Sequence, residues 1–177
     1  VTRRHGARFR SAFTLAETIA VLVIAGIMAI VSAPAFAGLL RLRHASLAAE
    51  VERRLQLARA HSVASSQPVG VRVDTALQRL TMLQIPDPAQ APAEFDAVVG
   101  GNPTTLVSEI APGASISSAS INGGTTYSTI WFDFRGEPHV RDEATGAFVS
   151  DFTQDATITL TGGHEITVRR LTGLIER

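Results

Sequence analysis

Hydrophobic and polar positions fall into three successive patterns along the chain. Residues 18–40 are 23 consecutive positions without a charge. A helix rises 1.5 Å per residue, so about 20 such residues cross a hydrocarbon layer of roughly 30 Å. Apolar residues then recur at helical spacing, at Leu40, Leu47, Val51, Leu55 and Ala58, while Arg43, Glu50, Arg53 and Arg54 take the other faces. Glu50 and Arg54 stand at i and i+4, an arrangement that supports a helix. No Pro or Gly interrupts residues 39–66, and Ser65-Ser66-Gln67-Pro68 reads as a stop. One helix of about fifty residues from Phe13 is therefore expected, with an apolar half and an amphipathic half whose stripe needs a partner.

The third pattern supplies that partner. Residues 69–73 and 79–83 read as two strands around a turn at 74–78. Residues 86–103, rich in Pro, Ala and Gly, read as a long loop outside the core. Short strands are expected over 105–110, 115–121 and 127–134. Residues 156–161 and 164–168 flank Gly162-Gly163 as a β-hairpin, with Ile158, Leu160, Ile166 and Val168 inward. A last strand is expected at 171–175, turning through Gly173. The fold class is α+β: a long N-terminal helix, membrane half plus amphipathic half, packed on an antiparallel β-sheet domain.

Composition narrows what such a chain can be. Its 177 residues suit one domain of ordinary size, 45% of them are hydrophobic, and the formal charge is zero. All 16 basic residues are Arg, so neutrality argues against a whole-protein grip on nucleic acid. The absence of Cys excludes a disulfide framework, thiolate zinc sites and cysteine nucleophiles. Arg3, Arg4, Arg8 and Arg10 precede the apolar run, which orients its amino end to the cytoplasm and the rest of the chain to the far side. Three readings fit the run. Ala35-Phe36-Ala37 before Gly38 is an acceptable signal-peptide site, although 19 apolar residues from 19 to 37 exceed the usual signal core. A plain membrane anchor is the second. The third must explain Glu17, a carboxylate at the head of an apolar span, which either complements the helix N-terminus or meets a positive partner from a neighbouring chain.

Phe13-Thr14-Leu15-Ala16-Glu17, after a short Arg-rich leader and before about twenty apolar residues, resembles the N-terminal motif of type IV prepilins and type II secretion pseudopilins. The resemblance implies cleavage by a prepilin peptidase between Ala12 and Phe13 and N-methylation of Phe13. It also implies that Glu17 pairs with the N-terminal amine of an adjacent subunit, and that Pro34 lies where pilin-like helices place a proline. The family usually carries Gly before the cut; Ala12 is the smallest replacement, so cleavage at a normal or slower rate is expected. More weakly, Leu55-x-Leu57-Ala58-Arg59 with Val63 and Pro68-Val69, then Phe132-x-Phe134-x-Gly136 and Thr172-Gly173, are similar to GspH/FimT-type minor pseudopilins. The organisation implied is a cleaved leader (1–12), a transmembrane and assembly helix (13–40), its amphipathic continuation (41–66) and a periplasmic β-rich domain (67–177). The chain would be a single-pass inner-membrane protein, cytoplasmic at its amino end, that joins a filament. Its partners would be the peptidase, other pilins or pseudopilins and, beyond them, secreted cargo or an outer-membrane channel. The leader is common to type II secretion pseudopili and type IV pili, and the alternative to both is a secreted or anchored binding domain that forms no filament.

Catalytic constellations are missing from the sequence. The histidines at 5, 44, 61, 139 and 164 have no metal-ligand spacing and read as solvated or capping residues, and no G-x-S-x-G or phosphate-cradling loop occurs. No enzyme activity and no cofactor are expected. Asp133, Glu137, Asp142, Glu143 and Asp151 are too scattered around Arg135 and Arg141 for a calcium loop, so no metal is expected and surface ion pairing is the reading. Some FimT-like minor pilins bind DNA, which makes Arg169, Arg170 and Arg177 the nucleic-acid candidates. Three arginines offer few phosphate contacts, and cleavage would leave 12 Arg against 16 acids (16 − 4 = 12).

Overall fold

The computed structural model describes residues 14–87, 90–96 and 102–177, and of residues 31–37 the backbone alone. The chain divides into two compact units, one ending at Leu39 and the other covering Leu40–Arg177. Helix α1, Leu15–Ser65, contributes to both and stops where Ser66 turns to positive φ ahead of Pro68. In the second unit Leu47, Val51, Leu55 and Ala58 are fully buried as the pattern predicts, and Ala48 joins them. Leu40, expected in that stripe, is 45% exposed. Arg54, expected on a solvent face, is buried: it ion-pairs with Glu50 at 2.9 Å and donates to the carbonyl of Pro103 at 3.3 Å and to the hydroxyl of Thr105. A guanidinium can enter the interior when its forked donors all find oxygens.

Two antiparallel sheets share the work of covering the stripe. In the first, β1 (Val69–Asp74) lies between β2 (Arg79–Gln84) and β6 (Thr129–Phe132), and β7 (Pro138–Arg141) and β8 (Phe148–Asp151) continue beyond β6. On its other edge β2 pairs with β4 (Thr104–Leu106) over Arg79–Thr81 and with β3 (Ala93–Glu94) at Leu83 and Gln84. The second sheet runs β11 (Ile175–Glu176), β10 (Glu165–Val168), β9 (Ala156–Leu160), β5 (Ile116–Ser120). The expected hairpin is β9–β10, with Ile158, Leu160, Ile166 and Val168 all inside. Val69, Val71, Leu80, Ile130 and Phe132 from the first sheet join them and the helix in one core. Leu83, Ile85 and Trp131 form a smaller cluster.

Four expectations on strands are corrected. The strand expected at 105–110 is only β4, because β2 begins at Arg79, opposite Leu106, and offers no ladder beyond it. The chain turns there into a short helix, α2 (Val107–Ile110), with Val107 buried and its N–H given to the carbonyl of Gln78. The strand expected at 171–175 is mostly a turn, in which Gly173 N–H donates to the carbonyl of Arg169, and only Ile175–Glu176 pairs with β10. The loop over 86–103 contributes β3, and its Phe95 packs against the core and on the ring of His61, 4.4 Å between centroids. Strands β7 and β8 had no counterpart in the sequence reading. They are four residues each, one opens on a proline, which a strand tolerates at its first residue, and both carry polar residues.

Candidate functional site

The first residues of α1 explain how Glu17 sits in the isolated chain. Thr14 is the N-cap: the backbone N–H of Glu17 donates to its hydroxyl at 3.3 Å. In return one carboxylate oxygen of Glu17 accepts the backbone N–H of Thr14 at 2.8 Å and its hydroxyl at 2.9 Å. This is a capping box, which satisfies two orphan N–H groups reciprocally. Its signature, Thr14-x-x-Glu17, is present in the sequence and was available to be read. Among the described residues its bonds use one carboxylate oxygen, which leaves the other to accept from elsewhere.

Along the turns that follow, apolar side chains face solvent on every side of the helix: Leu15 is 79% exposed, Leu22 66% and Ile30 76%. A helix that is hydrophobic all round is one that other apolar matter covers. Among the described residues no helix is long and apolar enough to cross a membrane. The span expected over residues 13–40 includes Phe13 and the side chains of residues 31–37, which lie outside the described residues. Ala12 lies outside them as well. Pro34 falls within α1, with its side chain outside the described set.

The weaker part of the family resemblance acquires a physical cause at Arg59. Its Nε–H donates to the carbonyl of Gly136 at 3.1 Å and a terminal N–H to the carbonyl of Thr172 at 2.9 Å. One side chain of the helix thus holds the β6–β7 turn and the turn before β11 together. The three motif pieces, around residues 59, 136 and 173, meet at this point.

The candidate nucleic-acid arginines are largely occupied. Arg169 ion-pairs with Asp155 at 2.9 Å and with Glu176 at 2.6 Å, which holds its pKa above the usual value, the Glu176 hydrogen bond contributing most. The Asp155 carboxyl is held low, first by the backbone N–H of Arg170. Arg170 also gives a terminal N–H to the carbonyl of Thr153 at 2.7 Å. Arg177 is exposed.

His139 departs from the sequence reading, in which it was solvated or capping. It is only 2% exposed, and its pKa is lowered to about 4, first by burial and then by the charge of Arg141. Its Nε2 accepts from Arg141 Nε at 2.6 Å, which fixes the neutral ring with its proton on Nδ1, facing the carbonyl of Glu137 at 3.5 Å. The unfolded ring, at about 6.5, binds a proton over the window from pH 6.5 to 4 in which the folded one does not. Stability therefore falls as pH drops through that window, by at most about 3 kcal/mol, and is unaffected by this group above it. Thermal melts at pH 4.5 and 7 should show this loss in the native protein and a much smaller one in His139→Gln. Equal losses would assign the effect to other groups.

Acidic side chains mostly serve turns. Asp133 accepts the N–H groups of Arg135 and Glu137, Asp142 those of Ala144 and Thr145, and Glu143 reaches Ser128, Thr129 and Arg72. No group of three or more metal-ligating side chains is assembled among the described residues.

A long helix whose C-terminal part packs on antiparallel sheets, headed by an apolar segment with a carboxylate in its first turn, defines a pilin-like subunit. The model for the family "Type II transport protein GspH" matches residues 47–173. That is well over half of the chain, which belongs to this family. No curated protein matches the sequence. Among solved structures, the minor pseudopilin EpsH of the Vibrio cholerae type II secretion system is similar at 17% identity and a TM-score of 0.52 over 73% of this chain and 90% of that one. A second EpsH crystal structure gives 16% identity and 0.51 over 73% and 91%. The type IV minor pilin FimU of Pseudomonas aeruginosa is 12% identical, with a TM-score of 0.48 over 77% and 88%. The fold is that of a pilus-like structural subunit.

Proposed function

We propose that the chain is a minor pseudopilin, a subunit of a short envelope filament of the type II secretion kind. It enters the inner membrane through residues 13–40 with its amino end in the cytoplasm. A prepilin peptidase cuts between Ala12 and Phe13 and the new amine on Phe13 is methylated. Glu17 then docks on a neighbour's amine, and Pro34 lets the helix bend or locally melt as it moves from lipid into the bundle. The reading rests above all on the all-round apolar helix headed by Glu17. On this reading the chain's role is structural: force comes from elsewhere, and the β-rich unit makes the contacts to other subunits or cargo. A type IV pilus is the second reading, favoured only by the shared leader. DNA uptake is disfavoured by the engagement of Arg169 and Arg170.

Intact mass and N-terminal fragmentation of the protein from its native membrane test this directly. The expected chain begins at N-methylated Phe13. A chain beginning at Gly38 would be an ordinary secreted domain and would overturn the proposal.

A further inference from the structure

Two large aromatic side chains of the second unit stand in solvent without a role so far: Phe134 is 55% exposed and Phe148 56%. Both line one pocket of about 250 Å³ beside the β6–β7 turn. Three carboxylates, Asp133, Glu137 and Asp151, line the same pocket. Asp133 gives one oxygen to the turn, whereas the side chains of Glu137 and Asp151 have neither a hydrogen bond nor an ion pair among the described residues. His139, neutral and buried, also lines the pocket, with the Phe148 ring tilted at 32° to the imidazole and 5.9 Å away. Arg141, also part of the lining, is held away from any guest by His139 and by the carbonyl of Gly146 at 2.8 Å. Three carboxylates against the engaged Arg141 and against Arg135, whose guanidinium lies over Phe134, still leave the pocket net negative.

We propose that this pocket receives an arginine side chain displayed by a neighbouring subunit of the filament. The partner rests on the filament reading; the pocket's chemistry does not. A planar guanidinium can lie on a phenyl face while its fork meets a carboxylate, which an ammonium cannot do as well. The chain already uses half of that arrangement, with Arg135 over Phe134 at 5.2 Å. The volume suits one long side chain, below the roughly 300–1,000 Å³ of pockets for drug-sized ligands. Exposed aromatics beside unpaired charge are the composition of an interface centre before its partner arrives.

The test uses the full chain in detergent micelles and N-acetyl-arginine amide as probe, followed by the NMR signals of Phe134, Phe148 and the His139 ring. Saturable shifts are expected, with millimolar affinity. The isosteric N-acetyl-citrulline amide should bind at least about tenfold more weakly, as should arginine amide to Glu137→Gln/Asp151→Asn and to Phe148→Ala. These side chains are on the surface, and circular dichroism with Phe148→Leu as a milder variant separates lost binding from lost folding. Equal binding of the citrulline probe, or no saturable shift, would overturn the pocket. A photo-crosslinking residue at position 148 in assembled filaments tests the partner separately. Capture of a subunit peptide containing arginine supports it, and a lipid or arginine-free peptide overturns it. A chain that proves to start at Gly38 would sink the filament without moving the probe result.

Discussion

Replacing Glu17 with alanine should leave the chain in the membrane and remove it from the filament. On the proposed function, insertion would depend on the apolar run, and loss of one carboxylate at its head makes that run more apolar. Incorporation would depend on a charge meeting a neighbour's amine where water is excluded, and an unpaired charge there is expensive. The capping box sharpens the experiment, because Ala removes two things at once: the charge and the acceptor for Thr14. Glu17→Gln separates them. A Gln at this position still closes a capping box, so the helix start is kept and the charge alone is lost. Both variants should fall by more than about tenfold in the sheared filament fraction while remaining in carbonate-resistant membranes. If Gln incorporates normally and Ala does not, the carboxylate is a cap and the docking role is wrong.

That comparison bears on what docking at Glu17 would cost. In the isolated chain the Glu17 carboxylate is satisfied through one oxygen by its own Thr14. A neighbour's amine would bind at the other, so docking adds a contact without first breaking one. A carboxylate held in position also loses less rotamer freedom on pairing than one that is loose.

Much of this architecture is legible from residue patterns, and what escapes does so for identifiable reasons. The buried stripe from Leu47 to Ala58, the stop before Pro68 and the hairpin around Gly162-Gly163 follow from periodicity and turn chemistry, which are local. Strands β7 and β8 follow from neither: Pro138 and His139 become strand residues because β6 offers them a ladder, and Arg141 because β8 pairs with it. Arg54 looks like a surface residue until the fold brings Thr105 close, and His139 until β7 forms, buries its ring and sets Arg141 on the same face two residues along. At the site the balance is similar. Glu17 stands out by charge inside an apolar run, and its cap was readable from spacing. The clamp at Arg59 was not, because its acceptors are backbone carbonyls 77 and 113 residues away.

The clamp supports the second large expected effect. Gly173→Ala should destabilise the β-rich unit by about 3 kcal/mol, near the upper end for a substitution that adds one methyl group. Two causes add. Gly173 sits at φ 62, a left-handed conformation that costs a residue with a Cβ roughly 1–2 kcal/mol. A Cβ there would also overlap the carbonyl oxygen of Gly136, backbone that cannot swing aside. That oxygen is one of the two acceptors of Arg59, so making room for the methyl means parting the two turns that the guanidinium joins. Arg59→Ala provides the comparison. It removes both hydrogen bonds from the charged donor, but the one to Thr172 is exposed and the freed carbonyls can turn to water while the turns stay in contact, so its loss should be smaller, about 1.5–2 kcal/mol. The double variant should cost less than the sum, because a clamp already pried apart by the methyl has little left to lose. Thermal melts of the four proteins decide it: full additivity would mean that the two residues act independently and that Arg59 is no clamp.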